Sequence, residues 1–427
     1  MSSFILPLSD PAATAPDRVG PKAANLAALA HAGLPTPGGF CITADAYRRQ
    51  IAHLGLDDLL REYPPADTLV QRRLAVEIRL KLYQSDLAPD VLAEVLAAWW
   101  AEPKPAAVRS SSLVEDRVDS SFAGQFESFL GVVDDAEFLT ALRACWAALW
   151  TTTARRSMAQ HDLHPADTAM AVLVQPLIAA RASGGGLSET ADGQMLLSAT
   201  WGLGTAIAQG EVVPDRIVLT RHGFLRSNDA GRKNHREACG HGAGNTGGTL
   251  LQAVPEALAR APCLEAGQAT ALGRLMRKAE NVLGMPVEIE WALDDVGFKL
   301  LQARPLHTEP ATVPEEIWLK HPGLTGHPAG VGWGSGRAVV VNCECEFSRV
   351  GPGDILVTRV AGPALSHILP RVAGVVAELG GSTSHLASLA RERGIPMVLG
   401  VLDATQRIPD GAQVAVDGVA GVVRWHA

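Results

Sequence analysis

The chain has 427 residues, too many for one typical domain, so two or three are expected. Hydrophobic residues make up 47% and charged residues 19%, a balance that excludes intrinsic disorder. A net charge of −8 argues against nucleic acid as a partner held by bulk charge, but not against nucleotides, which need only a few placed cations. The cysteines (Cys41, Cys145, Cys239, Cys263, Cys343 and Cys345) match no zinc-ribbon spacing and read as free thiols in a reducing cytosol. No signal-peptide pattern opens the chain, and no run of about 20 apolar residues is free of charge and proline, so a cytoplasmic protein without a membrane span is expected.

In chain order, Lys22 precedes an Ala/Leu-rich helix that ends at Gly33. A lysine at a helix start opposes the dipole and makes sense if an anion sits there. Helical spacing predicts helices over 45–54, 68–83 and 89–101, with Trp99 and Trp100 read as core. A short strand then delivers Arg109 and three serines, followed by the small-residue loop Ser121-Phe-Ala-Gly124-Gln and by Ser128. Arg is the natural bidentate clamp for phosphate, and a glycine loop lets backbone N–H groups approach phosphate oxygens. A helix is predicted over 137–158 and a buried strand over 169–175, ending at Gln175. Ser183-Gly-Gly-Gly-Leu reads as a tight loop, and 221–249, rich in Gly, Asn, His and Arg, reads as loop. Cys239, His235 and His241 follow no metal template.

A helix over 265–283 leads into a hairpin, Val287-Glu-Ile-Glu290-Trp through Gln302-Ala-Arg304-Pro. Glu290, Gln302 and Arg304 near the strand ends combine an acid oxygen, an amide oxygen and a guanidinium, a set suited to Mg²⁺ on a polyphosphate. Near the end of the chain, an apolar run over 372–379 meets Gly380-Gly381-Ser382-Thr383-Ser384-His385 and a short helix over 385–393, stopped by Gly394 and Pro396. His385 therefore sits on a first turn, whose positive end disfavours imidazolium and whose N–H groups and hydroxyls suit a phosphate carried on the ring.

The last quarter of the chain, from Gly330 through Gly353-Asp-Ile-Leu-Val and the Gly-Gly-Ser-Thr-Ser-His motif to Asp417-Gly-Val-Ala-Gly, resembles the swivelling phosphohistidine domain of the phosphoenolpyruvate-utilising enzymes. The segments before it resemble the ATP-grasp region of the same enzymes: Lys22, Val108-Arg109-Ser-Ser, Ser121-Phe-Ala-Gly-Gln, Val174-Gln175, Gly202-Leu-Gly204, Pro214-Asp215, Glu290-Trp and Gln302-Ala-Arg304-Pro. The resemblance implies an α+β fold: an ATP-grasp nucleotide-binding module over 1–308, a hinge or linker over 309–329, and a compact α/β swivelling phosphohistidine domain over 330–427. It implies that Lys22, Arg109 and Arg304 hold ATP phosphates, with Gly124 and Ser128 in the loop above them. Gln175 would lie beside adenine, Glu290 and Gln302 would ligate Mg²⁺, and Thr383 and Ser384 would support His385 as phosphoryl carrier.

Two departures stand out. Gly20-Pro21-Lys22 replaces Gly-Gly-Lys, and Gly202-Leu-Gly204-Thr205 replaces Gly-Leu-Gly-Glu, losing a carboxylate near the nucleotide. No pyruvate-binding barrel is expected after the histidine domain, so the expected acceptor, a small molecule such as an alcohol or phenol, is assigned to a partner subunit or to the cleft between modules. The expected activity is transfer of a phosphoryl group from ATP to His385 and on to that acceptor. The alternatives are an ATP-dependent ligase using a phosphorylated intermediate in secondary metabolism and a non-catalytic ATP-binding regulatory protein.

Overall fold

The structure is a computed structural model, and it describes all residues except 1–2, 65–67, 116–125, 127, 160, 241–247, 308–317, 319–320, 322 and 427. The chain divides into two compact units. The first comprises Met1–Ala179, Cys239–Leu250 and Lys299–Arg304; the second comprises Ala180–Ala238, Leu251–Phe298 and Pro305–Ala427. The nucleotide module expected from sequence is thus divided between them, and its second part belongs to the same unit as the histidine domain.

The first unit contains strands β1 (Ile5–Pro7), β2 (Phe40–Ile42), β3 (Ala106–Ser112), β4 (Ser128–Val132) and β5 (Met170–Pro176), in sheet order β1-β2-β5-β3-β4. Its helices are α1 (Pro16–His31), α2 (Ala44–His53), α3 (Asp57–Arg61), α4 (Leu69–Gln84), α5 (Pro89–Ala101), α6 (Asp135–Ala148) and α7 (Thr152–Ala159). The apolar stripes of α2, α4, α5 and α6 bury Tyr47, Ile78, Trp99, Phe138 and Trp146 in one core. Trp99 stacks on Phe138 with ring centroids 4.3 Å apart, while Trp100 is exposed, so only one of the two tryptophans is core. The single helix predicted over 137–158 is broken at Leu149–Thr151. Trp150 is drawn inward to donate its indole N–H to the Tyr47 hydroxyl at 2.9 Å, and the Thr151 hydroxyl accepts from the Ala154 N–H at 3.2 Å to start α7.

The second unit opens with a sheet in the order β12-β6-β7-β8-β9: β6 (Ala182–Leu187), β7 (Gln194–Trp201), β8 (Asp215–Thr220), β9 (Leu225–Asp229) and β12 (Val287–Leu293). Strands β10 (His235–Cys239) and β11 (Thr249–Ala253) pair with each other. Strands β9 and β10 and the first residue of β11 thus fall within 221–249, where loop is the sequence expectation. β9 to β11 have no buried residue and are held by backbone pairing, so they carry no apolar alternation. Ser183-Gly-Gly-Gly-Leu is likewise strand β6, central and buried, and not a loop. Helices α8 (Thr205–Ala208), α9 (Glu256–Ala259) and α10 (Ala266–Leu283) belong to this part, and α10 buries Leu272 and Met276. Strand β13 (Phe298–Pro305) follows β12 through the expected turn, where Asp294 accepts from the Val296 and Gly297 N–H groups.

The rest of the second unit is a sheet of eight strands: β14 (Gly323–Thr325), β15 (His327–Pro328), β16 (Trp333–Val341), β17 (Ile355–Thr358), β18 (Gly374–Ala377), β19 (Met397–Leu399), β20 (Gln413–Asp417) and β21 (Val422–His426). Strands β16 to β19 are parallel neighbours, and α11 (His385–Glu392) is the crossover between β18 and β19. The loop carrying Ser382 to Ser384 leaves the carboxyl end of β18, where parallel sheets present their ligand sites. Strands β14 and β15 lie inside the span assigned to a linker, so ordered pairing of this sheet begins at Gly323. Cys343 and Cys345 are joined in a disulfide, against the expectation of free thiols, while Cys41 and Cys263 remain buried thiols. Among the described residues no helix is long and apolar enough to cross a membrane.

One buried charge pair fixes the connection after β7. Asp215, fully buried, accepts from the Lys233 ammonium, from the Gly231 N–H at 2.8 Å and from the Cys263 N–H at 2.7 Å, and Lys233 is buried as completely. This gives the Pro214-Asp215 pair a structural task. Asp215→Asn leaves the Lys233 charge without its counter-charge away from water, so a loss of about 3–5 kcal/mol is expected. A fall in Tm by calorimetry, smaller in Asp215→Leu combined with Lys233→Met, checks this.

Candidate functional site

In the first unit α1 carries Lys22 past a kink. Gly20 adopts a φ of 77°, and a Cβ there would lie 2.4 Å from the Ser111 carbonyl oxygen, so only glycine lets the chain pass this close to β3. Pro21 then restarts the helix, which places Lys22 in its first turn, as expected. The serines after Arg109 hold this arrangement. The Ser111 hydroxyl donates to the Val19 carbonyl at 2.7 Å and accepts from the Ala23 N–H at 3.3 Å.

Lys22 is buried, donates to the Ser110 carbonyl at 3.0 Å, and forms a 2.7 Å ion pair with Glu115. Glu115 has no role in the sequence reading. Its cue is Ser112-Leu-Val-Glu115, in which the Glu115 N–H donates to the Ser112 carbonyl and turns the carboxylate back towards the strand. Arg109, one residue before Ser110, donates to the Leu301 carbonyl and to Gln302 Oε1, both at 3.0 Å. The first unit therefore brings together Lys22 with Glu115 and Arg109 with Gln302. Arg304 is buried on β13, and the Asn25 side chain ties that strand to α1 by donating to the Ala303 carbonyl at 3.1 Å. Gln175 is buried near the end of β5 and donates to the Gly38 carbonyl at 2.9 Å. Ser128 is not within the predicted loop: it opens β4 in register with Arg109. Gly124 lies outside the described residues.

The second unit holds Glu290, Thr383, Ser384 and His385. Strands β6 and β12 pair with Gly185 opposite Glu290 and Leu187 opposite Glu288, so these four residues share one face. The opposite face packs on α10: a Cβ on Gly186 would meet Met276 and Ile289. On the first face, a Cβ added to Gly185 would come within 2.6 Å of the Thr383 Cβ. Thr383 thus fills the space of the missing side chain, directly across from Glu290.

Ser384 is the N-cap of α11, its Oγ accepting from the Ala387 N–H at 3.2 Å, and half-buried His385 is the first helical residue. Ser382 Oγ and Thr383 Oγ1 are buried and have no hydrogen-bond partner among the described residues. Two orphaned donors beside a helix start are a preformed cradle for anionic oxygens.

Glu237 and His327, also of this region, were not singled out from sequence. Thr205, which stands where the family pattern has Glu, donates its hydroxyl to the Glu237 carboxylate, and the Leu203 N–H donates to the Glu237 carbonyl at 2.8 Å. A carboxylate is therefore returned to the Gly202-Leu-Gly turn from β10. His327, on β15, has a buried Nδ1 without a partner among the described residues and lies against Gly381 and Gly400. Burial, reinforced by Arg216 and Arg232 and weakly opposed by Asp229, holds its pKa down at about 4.

Glu290 offers a half-buried, hard oxygen donor and Gln302 an amide oxygen, the ligand types that Mg²⁺ accepts alongside phosphate and water, so the donor chemistry fits that ion. Among the described residues no three His, Cys, Asp or Glu side chains gather as a metal cluster.

Comparison with known proteins gives two family matches: the AMP/ATP-binding domain of pyruvate phosphate dikinase over residues 16–320, and the mobile domain of phosphoenolpyruvate-utilising enzymes over 350–421. Over 95% of its length the chain is 30% identical to a probable phosphoenolpyruvate synthase of Methanothermobacter thermautotrophicus, covering 61% of that protein. It is 29% identical to the phosphoenolpyruvate synthase of Pyrococcus furiosus and 30% identical to that of Pseudomonas aeruginosa, covering 56% and 55% of them. The chain thus spans little more than half the length of these relatives.

Two tests follow from the geometry. Thr205→Glu restores the family residue but sets two carboxylates in contact, so it lowers Tm, and adding Glu237→Thr restores it. For His327, the native state disfavours the proton that the unfolded chain accepts near pH 6.5. Its stabilising contribution is therefore complete above pH 6.5 and declines as pH falls towards 4, by up to about 3 kcal/mol. The expected result is a drop in Tm across that window that is shallower in His327→Gln.

Proposed function

The chain belongs to the phosphoenolpyruvate-utilising enzymes with a pyruvate phosphate dikinase-type AMP/ATP-binding domain, and from that premise we propose that it is an ATP-dependent dikinase-type phosphotransferase whose carrier is His385. The observation that carries this reading is the loop before His385. Ser382 and Thr383 present buried hydroxyls with no described partner at the start of α11, and Thr383 rests opposite Glu290.

In the proposed reaction the His385 imidazole attacks the β-phosphorus of ATP. The bond from that phosphorus to the α,β-bridging oxygen breaks, its electron pair leaves with AMP, and a pyrophosphoryl group remains on the ring. Transfer of the terminal phosphoryl group to water or phosphate leaves phospho-His385, which passes its group to an acceptor. Lys22, Arg109 and Arg304 bind the phosphates, with Gly124 and Ser128 near them, and Gln175 lies beside adenine. Thr383 and Ser384 orient the ring and the group it carries. Glu290 and Gln302 would hold Mg²⁺, which, when bound, offsets the polyphosphate charge. Residues 1–308 serve as the nucleotide module and 330–427 as the swivelling domain, which β14 and β15 join, with the part of the 309–329 segment before β14 as hinge.

We take the acceptor to be a small molecule, bound by a partner subunit or between the modules. An alcohol or phenol finds no support among the named relatives. The product for which those relatives are named makes a 2-oxo acid the first acceptor to try.

The test is labelling of the purified chain by ATP carrying label in the β- or the γ-phosphate. Acid-labile label retained from the β position alone, and lost in His385→Ala, is the expected result. Absence of label from either nucleotide, with ATP still bound, overturns the carrier reading.

A further inference from the structure

Glu288 has no part in the reaction above, yet it is buried on the strand that carries Glu290. Its carboxylate accepts from the Ser388 hydroxyl at 2.5 Å and from Arg391 Nη2 at 3.2 Å. Ser388 and Arg391 are the residues three and six positions after His385 on α11, and Arg391 Nη2 also donates to Ser388 Oγ at 3.1 Å. Arg391 Nη1 donates to the Ser382 carbonyl and to the Ala329 carbonyl at 3.1 Å. One cation thus ties together the helix, the loop before His385 and the chain beside β15, and one carboxylate ties that cation to β12.

The two carboxylates of β12 are two residues apart on one face, about 7 Å along the strand. Glu290 faces Gly185, where Thr383 is seated, and Glu288 faces Leu187, where the latch closes. The loop is held on its other side as well. The Gly380 N–H donates to the Val212 carbonyl at 3.0 Å, and Arg232 donates to the Glu378 carbonyl at 3.2 Å.

We propose that Glu288 is a positioning residue: with Ser388 and Arg391 it forms a buried latch that seats the His385 helix at a fixed register on β12, and Gly185 is the notch that admits Thr383. The proposal rests on His385 as the phosphoryl carrier for its use in the reaction, but not for its geometry. Glu288, Ser388 and Arg391 are all buried, so the ion pair cannot open part-way without stranding a charge. The helix is therefore either seated or released, which is the behaviour a carrier that must leave after loading requires.

The experiment uses the full chain with Glu288→Gln, which keeps the shape and removes the charge, and Gly185→Ala, which fills the notch. Hydrogen–deuterium exchange is read over 182–187 and 385–392, with 106–112 and 170–176 as internal reference. Faster exchange in the first two segments alone, in both variants, is expected. In the labelling assay Glu288→Gln lowers the maximal rate of His385 phosphorylation by about 100-fold, the scale of a misplacement near 1 Å, while the ATP concentration for half-maximal rate stays unchanged. Should either variant fail to fold, Ser388→Ala carries the same test with a smaller rise in exchange. Unchanged exchange in the folded variants overturns the latch whatever the catalysis shows. A loss expressed entirely in the ATP concentration required overturns the positioning role. Faster exchange in variants of a chain whose wild type takes no label leaves the latch standing and removes the carrier reading instead.

Discussion

The arrangement around His385 depends on a side chain that is not there. Gly185 occupies a central, buried strand, and any Cβ at that position would overlap Thr383. A glycine in a strand interior costs conformational entropy and gives up packing. That cost is offset here by the seating of a loop that ends in a cap and a helix start. The consequence is geometrical. Because Gly185 pairs with Glu290, the seat of Thr383 also sets how near the loop comes to that carboxylate. A phosphoryl transfer between a nucleotide and a side chain gains most of its rate from such placement, since little covalent chemistry is left to other groups.

The cations show a related economy. Lys22 and Arg109 are one strand position apart in their anchoring: the first bonds to the Ser110 carbonyl and Glu115, the second to the Leu301 carbonyl and Gln302. Long basic side chains lose rotamer freedom when they grip a ligand. Here much of that loss has already occurred on folding, because carbonyl, amide and carboxylate oxygens hold the two head groups in place. The Arg109-Ser-Ser-Ser run contributes through its serines as much as through its arginine, since Ser111 fixes the kink that delivers Lys22.

How much of this was legible in the sequence depended on whether a residue's task was local. The N-cap at Ser384, the first-turn place of His385 and the hairpin turn at Asp294 follow from short-range chemistry and appear where expected. The Ser183-Gly-Gly-Gly run was misread because local rules treat clustered glycines as a turn. The reason for them lies far along the chain, in Thr383, and in the packing of Ser198 and Trp291 against Gly184. The strands that begin within 221–249 carry no signal because backbone-paired strands without a buried face show no apolar alternation. Glu115, Glu237 and Glu288 share a cause: each is an acidic residue whose partner is remote or whose role appears only after a turn brings it back.

Thr205 and Glu237 show how a departure from a family pattern can be absorbed. A carboxylate lost from the turn at residue 205 is recovered from β10, a strand with no register signal in the sequence, and the threonine hydroxyl becomes its donor. A hydroxyl donating to a carboxylate is a charge-assisted bond, stronger than the neutral kind, and it aims the carboxylate at the turn without adding a second charge. The charge is thereby moved to a different strand while its neighbourhood keeps its sign. Motif comparison along the chain sees only the loss. The oxygen anion beside Gly202-Leu-Gly204 comes from a strand more than thirty residues on, through the pairing of Gly202 and Leu203 with Glu237.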